Sequence, residues 1–239
     1  MTPRAARALV VLQARMGSTR LPGKVLARLG GRTILAHCVR RLMLSRVGPV
    51  VVATTEAPED DLVADEAARL GASVVRGERD DVLARFVRAL DVCGWDGDHV
   101  IRATADNPAV DLGCARRVLE VLATGADYAV ETDLPVGSAV EGVGARALRE
   151  AARVARTPYE REHVTPFVRA NPDRFRVRTL APAAALRRPD LHLTVDTAAD
   201  LAYLRRLFDT CAAWGARDPG LDMLIHAADR VASRIPEVA

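Results

Sequence analysis

Residues 10–24 read VVLQARMGSTRLPGK, an apolar run that changes abruptly into a polar loop. The apolar residues 8–12 are typical of a strand that is buried on both faces of a parallel sheet. The loop contains Gly17 and Gly23, two small hydroxyl residues and three cations. In open α/β sheets, ligands bind beyond the carboxyl ends of the strands, and glycines let backbone amides approach a phosphate. The segment therefore predicts an α/β fold with a phosphate-binding loop after its first strand.

Lys24 is the only lysine among the 34 basic residues, and it shares this loop with Arg15 and Arg20. A lysine ammonium is a compact charge on a thin stem, which suits it to reach between phosphates. The loop matches neither the GxxxxGK[ST] motif nor GxGxxG, since the two glycines are one residue too far apart and Val25 follows the lysine. A solvated basic turn is the alternative interpretation, and the position directly after a strand argues against it.

The composition is that of an ordinary globular protein, with 49% hydrophobic and 27% charged residues in a chain of 239. This length suits one domain with a substantial core, and we predict a single domain over residues 1–239. A net charge of +3 and an aromatic content of 4% do not favour nucleic acid as a partner. The four cysteines show no CxxC pairing, so we expect buried thiols. No apolar run is long enough for a signal peptide or a membrane span, and we expect a cytoplasmic protein with no membrane partner.

Strands and helices are predicted to alternate along the first half of the chain. The strands are residues 8–12, 50–54, 73–76, 99–102 and 128–131, and the helices are residues 33–44, 56–70, 82–90 and 113–122. This alternation indicates a doubly wound, mostly parallel sheet. The second half is less regular: residues 132–144 are predicted as a loop or bent strand, 175–180 as an antiparallel edge strand, and 191–195 as a further strand. Its predicted helices are residues 146–156, 159–170 with a break at Pro166, 198–211 and 221–233.

Two aspartates follow predicted strands, Asp106 in TADNP and Asp196 in LTVDT. Placed at the same edge of the sheet as the glycine-rich loop, they are suited to hold Mg²⁺ against a triphosphate, because Mg²⁺ takes a few carboxylates together with phosphate oxygens and water. Each aspartate alone is equally well explained as a helix cap. The pair of strand ends favours the metal interpretation.

The segment EREHVTP, residues 160–166, is dense in titratable groups. It is either the solvated start of a helix, with paired charges, or a wall of an acceptor site in which Arg161 and His163 bind an anion. Glu141, flanked by glycines and small residues, is either a contact to sugar hydroxyls or a surface charge. We take all three as candidate acceptor-binding residues.

The order and spacing of these motifs resemble those of the spore-coat polysaccharide type of cytidylyltransferase, over nearly the whole chain. The similar segments are QARMGSTRLPGKVL, VVATTEAPEDD, RGERDDVLARF, RATADNP, EREHVTP and LTVDTAADL. The resemblance implies a Rossmann-like, three-layer α/β/α nucleotidyltransferase fold. It also implies a homodimeric, Mg²⁺-dependent enzyme that transfers CMP from CTP to a sugar acid, sugar phosphate or phosphonate and releases pyrophosphate. Residues 1–131 would then form the nucleotide-binding half and residues 132–239 the acceptor-binding and dimerisation half.

Carried over residue by residue, the resemblance implies catalytic roles for Arg15 and Lys24 and metal ligation by Asp106 and Asp196. The expected nucleotide-binding residues are Gln13, Ala14, Arg15, Gly17, Ser18, Thr19, Arg20, Lys24, Arg76, Asp80, Thr104 and Asp106. The chain departs from the family pattern at Asn107, where a cysteine is common, and at Ala139, where an acidic residue is common. Both departures leave the identity of the acceptor open.

Two other functions remain as alternatives. A glycosyltransferase that uses a finished sugar nucleotide usually holds its metal with a DxD pair, but Asp96-Gly97-Asp98 precedes its strand and is predicted to be a turn. A non-catalytic nucleotide-binding protein is the second alternative, and the presence of Lys24, Asp106 and Asp196 argues against it.

Overall fold

The computed structural model describes residues 6–233, so the predicted domain range of 1–239 extends beyond it at both ends. Seven strands form one sheet in the order β5-β4-β1-β6-β8-β7-β9. They are β1 (Ala8–Gln13), β4 (Val50–Thr55), β5 (Ser73–Gly77), β6 (His99–Thr104), β7 (Tyr128–Glu131), β8 (Glu141–Gly144) and β9 (Val177–Leu180). The short strands β2 (Arg28–Leu29) and β3 (Arg32–Thr33) form a separate antiparallel pair. Among the seven, β8 alone runs antiparallel to its neighbours, which confirms the predicted mostly parallel sheet.

Helices cover both faces of this sheet. They are α1 (Ile34–Leu44), α2 (Asp61–Arg69), α3 (Val82–Val92), α4 (Cys114–Ala123), α5 (Ala145–Val154), α6 (Pro158–His163), α7 (Pro166–Ala170), α8 (Ala198–Ala213) and α9 (Leu221–Ala232). Side chains of β1 alternate between the two cores: Val10 and Leu12 pack with α1, α4, α8 and α9, whereas Leu9 and Val11 pack with α3, α5 and α7. All four are completely buried. The three-layer α/β/α arrangement is therefore confirmed, and a strand buried on both faces explains the continuous apolar run.

Three predictions for the second half of the chain need correction. Residues 141–144, at the end of the predicted loop or bent strand, form β8 in the interior of the sheet. The edge strand β9 pairs with β7 in parallel and not antiparallel, because alternating side chains indicate a half-exposed strand but not its direction. Residues 191–195 are not a strand within the sheet. His192 forms only an isolated parallel bridge to Val136, and the backbone amide of Val195 donates to the carbonyl of Asp106 at 2.8 Å.

Two predicted helices begin or break at a proline. The predicted helix at 56–70 begins as a 3-10 turn at Pro58–Asp60 before α2. The predicted break at Pro166 is confirmed, since α6 ends at His163 and α7 begins at Pro166. Val164, between them, is fully buried and has a φ of 72°. A β-branched residue rarely adopts this left-handed conformation, so the reversal between α6 and α7 is held by tertiary packing. Within residues 6–233, no helix combines the length and the apolarity that a membrane crossing requires.

Candidate functional site

A cleft of about 370 Å³ opens at the carboxyl ends of β1 and β6. The glycine-rich loop crosses one side of it, and the walls come from α3 and the end of α6. It is lined by Gln13, Ala14, Arg15, Gly17, Ser18, Thr19, Arg20, Lys24, Val25, Val82, Arg85, Arg102, Thr104, Ala105, Asp106, Glu162, His163 and Asp196. Five of these side chains are cationic and three are carboxylates, so the cleft is suited to a polyanion.

The loop itself is a compact turn with a fixed backbone. The amides of Ser18 and Gly23 both donate to the carbonyl of Met16, at 2.8 and 2.9 Å, and Gly23 has a φ of 71° that favours glycine. A short 3-10 helix, Lys24–Leu26, follows immediately. At Gly17 a Cβ atom would lie 2.5 Å from Nη2 of Arg79, which shows how closely that guanidinium approaches the loop. The loop thus presents backbone and cations together at the sheet edge.

Lys24 joins the loop to two other segments of the chain. Its Nζ donates to Oδ2 of Asp106 at 3.1 Å, to Oδ1 of Asp196 at 2.9 Å and to the carbonyl of Val195 at 2.7 Å. The lysine side chain is only 9% exposed, whereas the two carboxylates are 30% and 29% exposed. This clasp of one ammonium between two carboxylates sets the position of all three charged groups at the mouth of the cleft.

The arginines of the cleft are held less tightly. Nη2 of Arg20 lies 3.0 Å from Oδ2 of Asp196, and Arg15 reaches Glu162 and Asp80 only at 3.6 and 3.9 Å. Arg85 lies deeper, where burial, followed by the neighbouring charge of Arg15, lowers its pKa to about 10. Its guanidinium donates to the carbonyls of residues 78 and 79 and so orders the segment that precedes α3. The exposed arginines are therefore available to rearrange around an anion.

Asp106 and Asp196 fit a divalent cation by the chemistry of their donor atoms. Both carboxylates approach the same nitrogen of Lys24, so they converge on one region of the cleft. Within residues 6–233, no cluster of three or more His, Cys, Asp or Glu side chains is arranged for a metal. A cation held by these two carboxylates would therefore complete its coordination with phosphate and water oxygens, which is the usual mode for Mg²⁺.

Of the twelve predicted nucleotide-binding residues, ten line the cleft. The two others lie outside its lining. Arg76 donates to the carbonyls of Thr55 and Ala57 at 2.8 and 3.0 Å and so holds the loop that follows β4. Asp80 is 93% exposed and touches the site only through Arg15. The neighbouring Asp81, not Asp80, caps α3 by accepting from the amide of Ala84 at 2.9 Å.

The three predicted acceptor-binding residues have different positions. His163 lines the cleft and packs against the ring of Tyr159, with 4.6 Å between centroids. Arg161 instead bonds α6 to the rest of the fold, through Oδ2 of Asp81 at 3.1 Å and the carbonyl of Ala152 at 2.9 Å. Glu141 is turned into the protein and accepts hydrogen bonds from three neighbours, so it is not a surface charge.

Sequence reasoning missed three charged residues of the cleft, namely Arg85, Arg102 and Glu162. Arg85 interrupts the apolar face of α3, between Val82 and Phe86. A charged residue on a face that is otherwise buried could have indicated a functional position. Arg102 lies two positions before Thr104 on β6 and therefore shares its face of the sheet. Glu162 gave no such signal, because its position depends on how α6 packs.

Comparison with known proteins places the chain among enzymes that handle cytidine nucleotides. A family model described as cytidylyltransferase matches residues 9–217. The chain is 38% identical to an uncharacterised protein of Methanocaldococcus jannaschii, over 83% of each chain. It is 35% identical to the spore coat polysaccharide biosynthesis protein SpsF of Bacillus subtilis, over 84% of this chain and 85% of that one.

Solved structures agree in fold. A cytidylyltransferase from Leptospira borgpetersenii superposes with a TM-score of 0.85 at 28% identity, covering 95% of this chain and 96% of the other. CMP:2-keto-3-deoxy-manno-octonic acid synthetase complexed with CTP superposes with a TM-score of 0.66, and a Mycobacterium tuberculosis protein complexed with manganese with 0.60. These two are each 19% identical to the chain, over 86% and 84% of it and 99% and 98% of their own lengths, and they show the fold alone. With the family model covering most of its length, the chain belongs to the cytidylyltransferase family, and it is a nucleotidyltransferase that transfers CMP from CTP.

Proposed function

We propose that the enzyme transfers CMP to a small anionic acceptor, a sugar acid, sugar phosphate or phosphonate, with Mg²⁺ as its metal and pyrophosphate as the second product. The observation that carries this proposal is the clasp of Lys24 between Asp106 and Asp196 beneath the glycine-rich loop. Such an arrangement supplies cations for a triphosphate and carboxylates for a divalent ion within one cleft.

The residues of the cleft have separate tasks in the proposed reaction. An oxygen of the acceptor attacks the α-phosphorus of CTP, the bond from that phosphorus to the bridging oxygen breaks, and pyrophosphate leaves. Lys24, Arg15 and Arg20 neutralise charge on the triphosphate and the departing pyrophosphate, and positioning supplies most of the rate enhancement. A cation held by Asp106 and Asp196 would add Lewis-acid neutralisation of phosphate charge.

The nature of the acceptor decides whether a base is needed. An acceptor phosphate is already ionised, whereas a sugar hydroxyl must lose a proton. His163 is the histidine in the wall of the cleft, and it is the residue that we assign to take that proton from a hydroxyl acceptor.

Relatives support the finer parts of the proposal. The octonic acid synthetase was solved with CTP, and its name describes a sugar acid as the acceptor. The protein complexed with manganese supports use of a divalent ion, with Mg²⁺ as the proposed metal here. A homodimer of single-domain subunits and a cytoplasmic location complete the proposal, the first from the resemblance and the second because nucleoside triphosphates are cytoplasmic metabolites.

The experiment is pyrophosphate release with Mg²⁺, for the four nucleoside triphosphates against a panel of sugar acids, sugar phosphates and phosphonates. We expect release with CTP and one acceptor. Lys24→Met and Asp106→Asn should reduce this rate at least about a hundredfold, because each removes charge stabilisation worth about 2.7 kcal/mol or more. Arg206→Met, an exposed cation on α8, is the matched control and should keep the rate.

Release of pyrophosphate also separates the alternatives. A glycosyltransferase or a passive binding protein produces none. The residues Asp96 and Gly97 of the DxD-like triplet line a different surface groove, together with Trp95, and do not reach the cleft. Tight CTP binding without release for any acceptor, or equal rates in the wild type and Lys24→Met, would contradict the proposed transfer.

A further inference from the structure

One cation of the cleft, Arg102, is built into the floor of the site. It is carried by β6 and lines the cleft, yet its side chain is only 13% exposed. Thr104, on the same face of the same strand, lies at the rim beside Asp106, whose Oδ1 accepts from the threonine hydroxyl at 2.6 Å. At about 3.3 Å per residue along a strand, Arg102 lies roughly 6–7 Å deeper than Thr104. It is therefore a recessed cation, deeper in the cleft than Thr104.

A buried network fixes the orientation of this guanidinium. Nη1 of Arg102 donates to Oε2 of Glu141 at 2.5 Å. The other carboxylate oxygen of Glu141 accepts from the hydroxyls of Tyr128 at 2.5 Å and Thr165 at 2.9 Å. Burial, followed by the charge of Glu141, raises the pKa of Tyr128, so its phenol remains a donor at neutral pH. With both oxygens of Glu141 engaged, the arginine can rotate little.

The same guanidinium keeps unused donors. Nε of Arg102 is buried and has no hydrogen-bond partner among residues 6–233, so the protein contacts of this guanidinium are incomplete, although Nε itself is closed to a ligand. A guanidinium presents five N–H donors in a rigid fork that matches the oxygens of a carboxylate or phosphate. A purely structural ion pair would bring most of those donors to protein acceptors, because an unsatisfied buried donor costs about 1–3 kcal/mol.

The contacts of Arg102 lie on the side of β6 away from the strand that carries the glycine-rich loop. The glycine-rich loop follows β1, which pairs with one side of β6. Arg102 is held from the other direction, by Glu141 of β8 and Tyr128 of β7. The guanidinium is therefore turned toward β8, the neighbour of β6 on the side away from β1.

We propose that Arg102 binds the anionic group of the acceptor, a carboxylate or a phosphate-type oxyanion, and that Glu141 is the residue that positions it. The inference rests on the proposed function and extends it, because it names the group that recognises the acceptor. It also gives Glu141 an indirect role: the carboxylate aims a cation at the acceptor and does not itself contact sugar hydroxyls.

The test measures binding of small anions while the triphosphate site is filled. Wild-type enzyme is saturated with CTP and Mg²⁺, followed by calorimetry, and inorganic phosphate or ¹³C-acetate is then titrated with NMR line broadening as the readout. We expect at least one of the two anions to bind. Arg102→Met should weaken that binding at least tenfold and change the Kd for CTP less than twofold. Glu141→Gln should weaken anion binding about three- to tenfold, again without changing CTP affinity.

Controls separate lost recognition from lost folding. Arg102→Met leaves the buried Glu141 with only the distant cation of Arg169, at 3.9 Å. The double variant Arg102→Met/Glu141→Gln removes both charges of the close pair and provides a folded background in which anion binding should still be absent. Thermal unfolding reports the fold of each variant, and Arg206→Met should bind both anions as the wild type does.

The outcomes are distinct. Failure of the wild type to bind CTP would overturn the proposed function and this inference together. CTP binding with no anion binding, or with anion binding that survives in Arg102→Met or in the double variant, would overturn the inference alone. Parallel loss of CTP and anion binding in Glu141→Gln would make that residue structural and would overturn its positioning role.

Discussion

A single buried carboxylate, Asp60, fixes the backbone of the glycine-rich loop. It is 2% exposed, and its Oδ1 accepts from the amide of Met16 at 2.6 Å while its Oδ2 accepts from the hydroxyl of Thr55. Hydrogen bonds to a charged acceptor contribute about 1.5–3 kcal/mol each, more than neutral ones. Asp60 therefore holds the glycine-rich loop in place without lining the cleft.

We predict that Asp60→Asn lowers the free energy of unfolding by about 2 kcal/mol and weakens CTP binding about tenfold. The neutral amide loses the charge-assisted hydrogen bonds of the carboxylate, and its NH2 group can no longer accept from the hydroxyl of Thr55, which must turn to become the acceptor. Urea unfolding and CTP calorimetry measure the two effects. Asp65→Asn, an exposed aspartate of α2, is the control and should change neither quantity. Wild-type affinity in Asp60→Asn would show that the loop is organised without it.

A second carboxylate, Asp218, makes stability depend on pH. Hydrogen bonds from Arg40 and Arg32, at 2.6–2.7 Å, lower its pKa from 3.8 to about 2. Because the pKa is depressed in the folded state, the contribution is complete above about pH 4 and is lost as the pH falls through 2.

Asp218→Asn should therefore lower the free energy of unfolding by about 1 kcal/mol at pH 7, a figure that allows for solvent screening of a partly exposed group. The difference in the free energy of unfolding between variant and wild type should decrease as the pH falls from 4 toward 2. Urea unfolding at a series of pH values measures it. A gap that stays constant down to pH 2.5 would contradict this assignment.

At the scale of elements, β8 shows why a glycine-rich segment lies inside the sheet. A Cβ at Gly142 would meet Cγ1 of Val118 at 2.4 Å and Cδ1 of Leu122 at 2.7 Å, so only glycine lets β8 lie against α4. At Gly144, two residues later on the same strand, the nearest atom to a Cβ would be 3.7 Å away, an ordinary contact.

This pair makes a matched prediction. Gly142→Ala should lower the free energy of unfolding by about 1–3 kcal/mol through overpacking, whereas Gly144→Ala should change it by less than about 0.5 kcal/mol. Chemical denaturation measures both variants. Equal effects would show that backbone entropy, and not the contact with α4, decides the glycine at 142.

The same strand marks the limit of prediction from sequence. Strands such as β1 and β4 are continuous apolar runs, and hydrophobic pattern alone locates them. For β8 that pattern is absent, because the space that its side chains would fill is occupied by α4. Residues 191–195 have the pattern of a strand but pair with the loops after β6 and β7, so they are extended and lie outside the sheet. Which segments pair depends on the tertiary structure, and the hydrophobic pattern of one segment does not show it.

Some residues of the candidate site can be identified from the sequence, and others only from the fold. The polar residues of the glycine-rich loop are contiguous in the sequence, so their chemistry can be recognised there, and most of them line the cleft. The sequence identifies Glu141 as a candidate residue but does not show whether its side chain points to solvent or into the protein. Small flanking residues are compatible with an exposed turn and with a tightly packed strand. Arg102 and Glu162 come to the cleft only through the register of β6 and the packing of α6.

For the molecule as a whole, the two proposed halves share one sheet. β8, from residues 132–239, lies between β6 and β7, which both belong to residues 1–131. Asp196, from the later half, meets Lys24 and Asp106 from the earlier one. Each half therefore supplies strands and site residues that the other lacks, and the single domain remains our prediction.

We therefore expect one cooperative unfolding transition. The two tryptophans report on different halves: Trp95 packs against the core beside α3, and Trp214 packs against the ring of His226 at a tilt, with 5.2 Å between centroids. Each of the variants Trp95→Phe and Trp214→Phe retains one tryptophan. In each variant, the urea midpoint measured by fluorescence should equal the midpoint measured by circular dichroism. Separate midpoints would show two folding units.

The position of Lys24 also governs how this protein can be handled chemically. As the sole lysine of the sequence, with 8% of its surface exposed, it is the one side-chain amine that an acylating dye, an amine-coupled sensor surface or a lysine cross-linker finds on the whole chain. Any such reagent that reacts with a lysine side chain modifies Lys24 in the cleft, and it would therefore disturb the ligand binding that the experiment is meant to measure. Thiol chemistry avoids this conflict, because Cys93, at the end of α3, is exposed while the other three cysteines are buried.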